Sequence, residues 1–289
     1  MQSQNYQFLR QRWVKKHKNL QKTLIKKHKN SFEWLSRNTK QLAVGSLGSL
    51  VLLTSPIQKS TTPAQVPQNQ VSEEVVDRAF VISDLSSILP NTVRPLTSQE
   101  EEEIGQILSK KYGMKVSAQL SGLRLNRSYG LIGAEQHLAR YPGDNMSSHF
   151  DGNRQEASAY YSSGMAPGLG AWGYFTTSRA NMTQQDVAQE KYYIAVQTFL
   201  APQFNQRIAQ YRDFFKFRKM LVVNPQNGRA MVAVIGDAGP AEWTGKHLGG
   251  SPEVMKYLER VDGGGVGPVL YFFIDDPNDT IPLGPVDPI

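Results

Sequence analysis

The chain has 289 residues and no cysteine. That length supports one or two domains with a proper core, and the missing cysteine excludes a disulfide scaffold, a thiolate metal site and a lipid anchor on an N-terminal cysteine. The net charge of +7 belongs to one end: residues 1–40 carry eleven Lys or Arg against Glu33 alone, and the rest of the chain carries 21 basic and 24 acidic side chains. Such a body has no positive stripe to neutralise phosphates, so nucleic acid is not expected as a partner.

In residues 1–40, Lys, Arg and His alternate with Leu, Trp and Phe. This reads as a basic cytoplasmic n-region that orients a membrane segment. Leu42 to Leu53 is uncharged and mostly apolar, the composition of an export-signal core. Extended over 41–57 it makes a short membrane anchor, below the roughly 20 residues of a full span. Either fate, cleaved signal or retained anchor, implies export to the cell envelope. The Ser/Thr/Pro/Gln-rich stretch that follows has little to bury and reads as an extended linker over 58–74.

A small α/β region is expected over 75–140. Thr97 or Ser98 starts a capping box with Glu101, and Ile104, Ile107 and Leu108 form a short apolar stripe. The run Glu100 to Glu103 loads the first helical turn, where the helix dipole favours acids, and is expected to be a solvated face. Tyr129 to Gly133 reads as strand and turn. Residues 183–218 read as helical, with Tyr192 to Val196 inside the helix and Phe204, Ile208, Tyr211 and Phe215 at helical spacing.

The stretch from Lys219 onward is the most patterned. Met220 to Val223 and Ala230 to Ile235 are apolar runs separated by a turn containing Asn227-Gly228, expected as a type I′ hairpin. Met231, Ala233 and Ile235 point one way, and Ala230, Val232 and Val234 the other. A strand apolar on both faces is buried on both. It ends at Gly236-Asp237-Ala238-Gly239-Pro240, which sets a carboxylate at the mouth of a buried strand. Ser251 caps a short helix with Pro252 at its first position, and Val266 to Ile274 forms another strand. A Pro-rich tail closes the chain over 277–289.

Asn224, Asn227, Gly228, Arg229, Asp237, Gly239, Pro240, Ser251, Gly267, Pro268 and Val269 follow one another in an order that resembles rare-lipoprotein-A-like septal lytic transglycosylases and expansins. The resemblance implies a mainly β fold with α insertions: a six-stranded double-psi β-barrel over 145–276, preceded by the membrane-targeting segment and a small helical region. Ala157-Ser158-Ala159-Tyr160-Tyr161 is similar to the family's opening A-S-x-Y strand. The chain departs from the family in two places. No acid stands between Gly164 and Ser178, where the family carries T-A-S-G-E, and His247-Leu248-Gly249-Gly250-Ser251 replaces the family's I-D-L-S.

What the resemblance implies is an exported protein acting on peptidoglycan glycan strands. Lytic transglycosylation needs one carboxyl that donates a proton and later takes one back, because the sugar's own 6-hydroxyl attacks. Asp237 is the candidate, since burial at a strand end favours its neutral form. Its plainer reading is an Asp that bonds the backbone of its own turn. Glu242 and Asp151 are candidate second carboxylates, Asp151 within a His149-Phe150-Asp151 tripeptide also found in expansins. Trp172, Tyr174, Arg229, Trp243 and His247 are candidate substrate contacts, the aromatic rings as platforms for sugar faces. Two alternatives stay open: a non-catalytic polysaccharide-binding barrel, and a scaffold, since fold does not decide function.

No cofactor is expected. The G-x-G-x-x-G match at 168–173 follows no strand, and Gly239 to Lys246 lacks the Ser/Thr of a phosphate loop. The five histidines show no linear metal-ligand spacing, and His137, His149 and Asp151 make only an unspecific set. No metal is expected.

Overall fold

A computed structural model describes residues 73–150, 152–260 and 267–289. The basic segment 1–40, the apolar segment 41–57 and most of the linker lie outside the described residues, as does Asp151. Among the described residues no helix is long and apolar enough to cross a membrane.

Among the described residues two helices come first, α1 (Glu73–Ser86) and α2 (Ser98–Tyr112). Thr97 caps α2: its hydroxyl accepts from the Glu100 N–H, and the Glu100 carboxylate accepts from the Thr97 N–H at 2.7 Å. Glu100, not Glu101, closes this box. Glu101 is buried instead, accepting from Arg124 at 2.9 Å and the Ser128 hydroxyl at 2.7 Å. The acidic run is therefore not a uniformly solvated face.

Short strands β1 (Val116–Ser117), β2 (Gln119–Leu120) and β3 (Leu123–Arg124) lead into β4 (Tyr129–Ala134). Then come α3 (Met146–His149), α4 (Arg154–Tyr160), α5 (Gln184–Lys191), β5 (Tyr193–Val196) and α6 (Ile208–Phe215). The chain finishes with β6 (Lys219–Val223), β7 (Ala230–Ala238), β8 (Leu248–Gly250), α7 (Pro252–Tyr257), β9 (Gly267–Ile274) and β10 (Gly284–Val286).

Six strands close on themselves. β4 pairs antiparallel with β9 and parallel with β8; β8 pairs antiparallel with β5; β5 runs parallel to β7; β6 pairs antiparallel with both β7 and β9. Exchanging β4, β5 and β6 for β7, β8 and β9 maps this set of pairings onto itself. The chain thus forms a closed, mixed six-stranded β-barrel with pseudo-twofold connectivity, compatible with a double-psi barrel.

Alternation along the strands sorts side chains into an interior set and an outward set, the latter divided between a larger cluster and a smaller one of Leu138, Tyr193, Ala195 and Val234. Ile132, Ile194, Val222, Met231, Ala233, Ile235, Leu248 and Tyr271 fill the barrel interior. Ala230, Val232, Leu221, Val223, Leu270 and Phe272 face outward, where Val81 and Leu85 of α1 and Ile104 and Leu108 of α2 cover them. Burial on both faces explains why these strands read as continuous apolar runs.

Four further local expectations differ from the structure. The β6–β7 turn is not type I′: only Gly228 has a positive φ, +69°. The turn spans six residues, closed by Asn224 N–H donating to the Arg229 carbonyl at 2.9 Å. A Cβ on Gly228 would lie 2.8 Å from the Arg78 carbonyl, so α1 packs directly on the turn. Ala157 to Tyr160 lie in α4, not in a strand; Asn153 caps this helix and accepts from the Glu156 N–H. The first barrel strand is β4, upstream of the expected boundary at 145. Tyr193 to Val196 form a strand rather than continuing the helix, because α5 ends at Lys191 and the run is wholly buried between β7 and β8.

Candidate functional site

β7 delivers Asp237 to one end of the barrel. Asp237 Oδ1 accepts from the backbone N–H of Ala238 at 2.7 Å and of Ala171 at 2.6 Å. The first contact is local, to the N–H of the next residue, and fits the plainer reading of an aspartate that bonds its own backbone. The second ties the Gly-rich segment 164–178 across the strand end. Trp172 anchors the same segment, its indole N–H donating to the Ile235 carbonyl at 3.0 Å. Burial raises the Asp237 pKa, against the two backbone N–H groups that lower it.

Glu135, one residue past β4, is a second acid near enough to feel the Asp237 charge. A Cβ on Gly249 of β8 would lie 2.2 Å from its side chain, so only glycine leaves room for it. Burial raises the Glu135 pKa; Lys246, at 3.5 Å from Oε1, opposes this, and the Asp237 charge adds to it. The Lys246 ammonium is held by the Ala134 carbonyl at 2.8 Å. Sequence reading missed Glu135, although an acid directly after a Gly-rich buried strand was a visible signal.

The other candidates scatter. Glu242 and Trp243 sit on a short 3₁₀ turn beyond Asp237; Glu242 is exposed and Trp243 is 89% exposed. Tyr174 is partly exposed on the Gly-rich segment. The His247 ring is turned inward, Nδ1 accepting from the Leu131 N–H at 2.9 Å, and burial followed by Arg127 lowers its pKa. Arg229 stands at the opposite end of β7 from Asp237, eight residues or about 26 Å along the strand. There it pairs with Glu259 at 2.8 Å and stacks on Tyr257, so the structure does not bring it to Asp237.

A second cluster is fully internal. His137, His149 and Glu190 are all buried, and each offers a ligand atom within 4.8 Å of the other two. His149 Nδ1 lies 3.2 Å from Asp144 Oδ2, and His149 Nε2 lies 3.1 Å from Glu190 Oε2. Asp144 also accepts from Arg140 Nε at 3.0 Å. Glu190 Oε1 accepts from the Leu138 N–H at 3.0 Å. Desolvation works against the His149 cation, but its hydrogen bonds to Asp144 and Glu190 raise its pKa to about 9. Glu253 lies in the same electrostatic field; burial raises its pKa to about 7.

Tyr193 of β5 separates the two clusters. Its buried phenol donates to the Gln136 carbonyl. Burial raises its pKa well above the ordinary value, and Glu190, Glu135, Asp237 and Glu253 each add to that. The Gly-rich segment runs beside both clusters: Ala166 N–H donates to the His137 carbonyl at 2.8 Å, and Thr176 N–H to the Arg140 carbonyl at 3.0 Å. A cleft of about 640 Å³ elsewhere is lined by Gln184, Lys219, Asp276 and Asp279, and by none of the residues of either cluster. Comparison with protein-family models and with curated proteins finds no match for this chain.

Proposed function

We propose that this protein is a double-psi barrel of the rare-lipoprotein-A-like kind, exported to the cell envelope, where it cleaves glycosidic bonds in peptidoglycan glycan strands without water. Asp237 is the general acid and base. In its neutral form it protonates the glycosidic oxygen, so the bond to the anomeric carbon breaks and the leaving sugar departs as an alcohol. As a carboxylate it then takes the proton of the 6-hydroxyl, whose oxygen closes onto the anomeric carbon to give a 1,6-anhydro product. The observation that carries this reading is one half-buried carboxyl, with its neutral form favoured, at the end of a barrel strand beside a second acid. Glu135 takes the part of that second acid, in place of Glu242 or Asp151.

A second reading is a glycan-binding module without chemistry. It is favoured by Trp243, a large aromatic ring left 89% exposed, and by the acid-free segment between Gly164 and Ser178. Incubating the full chain with purified sacculi and analysing the soluble fragments by mass spectrometry separates the two. Anhydro-muropeptides from the wild type and none from Asp237→Asn support the enzyme. Co-sedimentation with sacculi and no fragments supports the binder, and neither result leaves the barrel as a scaffold.

A further inference from the structure

We propose that His137, His149 and Glu190 bind one divalent transition-metal ion of zinc character, with Asp144 as the positioning residue that orients His149. This site does not depend on the glycan reading. The three ligands come from separate segments: the stretch after β4, helix α3 and helix α5. Their convergence is a product of folding.

The first support is His137. Its ring is fully buried, and neither nitrogen makes a hydrogen bond. Nδ1 lies 3.4 Å from Glu190 Oε1 without forming one. A buried polar group without a partner costs roughly 1–3 kcal/mol, and a bound cation would supply that partner.

Spacing is the second support. Tetrahedral ligands at about 2.0–2.2 Å from an ion stand roughly 3.3–3.6 Å apart. The two Glu190 oxygens lie 3.4 Å from His137 Nδ1 and 3.1 Å from His149 Nε2, and one ligand atom from each of the three residues lies within 4.8 Å of the other two. The set surrounds one point and contracts onto an ion placed there.

The third support is the outer shell. A metal-bound histidine usually gives its other ring nitrogen to a carboxylate, which sets its tautomer and aim. Asp144 stands in that position on His149 Nδ1, and Arg140 holds Asp144 in turn. Charge also closes. A dication with neutral imidazoles and the Arg140 guanidinium is balanced by the carboxylates of Glu190, Asp144 and Glu253, whose Oε2 is buried without a hydrogen bond. Two imidazoles and one carboxylate are a donor set suited to zinc. All three ligands are buried, so the ion cross-links three segments beneath the Gly-rich loop.

The full chain, produced without a histidine tag, is analysed for bound metal and then loaded with Co(II) as a spectroscopic stand-in. The expected result is one zinc per chain, visible Co(II) d–d absorption of a tetrahedral site, and a melting temperature that falls on chelation and returns with zinc. His137→Leu should lose the zinc-dependent shift, because it removes one of the three ligands. Asp144→Asn should weaken zinc binding by about 10–100-fold. The proposal is overturned if the folded wild type holds no more metal than His137→Leu, shows no Co(II) bands and melts alike with and without zinc. The cluster is then a buried ion network only. Should the variants fail to fold, the Co(II) spectrum of the wild type still decides.

Discussion

The backbone N–H of Ala171 donates to the carboxylate of Asp237 at 2.6 Å, across 66 residues of sequence. This bond joins the Gly-rich segment to the mouth of the barrel. It makes one oxygen of Asp237 a structural acceptor and leaves the carboxyl's acid–base work to the other. The two readings of this residue, turn-capping and catalytic, therefore occupy different atoms.

Asp237→Asn keeps Oδ1 as an acceptor and removes the titratable group. Its melting temperature should stay close to wild type, while anhydro-muropeptide release falls at least about 100-fold, the usual worth of a positioned general acid. Asp237→Ala loses both backbone bonds as well and should destabilise by about 1–2 kcal/mol. Denaturant unfolding read beside product release checks both parts. Equal activity in wild type and Asp237→Asn would end the catalytic assignment.

Trp243 and Trp172 should separate cleanly. Trp243 is 89% exposed, so Trp243→Ala should leave stability within about 0.5 kcal/mol and reduce co-sedimentation with sacculi. Trp172 donates to the Ile235 carbonyl and packs against the core. Trp172→Ala should cost about 3 kcal/mol, measured by urea unfolding.

Glu253 makes stability depend on pH in metal-free protein. Its folded pKa is raised from 4.5 to about 7, first by burial, with His137 and Lys191 lowering it and Glu190 raising it. A raised folded pKa stabilises below the unfolded value and loses that contribution as pH rises through the folded one. This group should therefore contribute up to about 3 kcal/mol near pH 4 that is gone above pH 8. In chelator-treated samples, the pH 5 to pH 8 loss in urea midpoint should be smaller in Glu253→Gln than in wild type.

Neighbouring glutamates in one helical turn should behave differently. Glu101 is buried and bonded to Arg124 and Ser128, so Glu101→Ala should cost about 2–3 kcal/mol. Glu102 is exposed, so Glu102→Ala should change stability by less than about 0.5 kcal/mol. Thermal melts of the two single variants check the contrast.

Local chemistry by itself determined the two-sided burial of Ala230 to Ile235, the Ser251 and Thr97 caps, and a carboxylate where β7 ends. Each follows from side chains within a few residues, through strand alternation or a hydroxyl meeting the third N–H of a helix. It misjudged Tyr193 to Val196, where burial between β7 and β8 overrides helical spacing; the family resemblance put Ala157 to Tyr160 in a strand, where a helix capped by Asn153 forms instead. Only tertiary structure decided which acids meet. Glu135 and Asp237 lie 102 positions apart and come into each other's field because β8 and β5 bridge β4 to β7, in a paired row that runs Gly133, Gly249, Ala195, Asp237. His137, His149 and Glu190 come from three segments and show no ligand spacing along the chain. Barrel closure sets such distances, and pairing between distant strands leaves no mark in a local window.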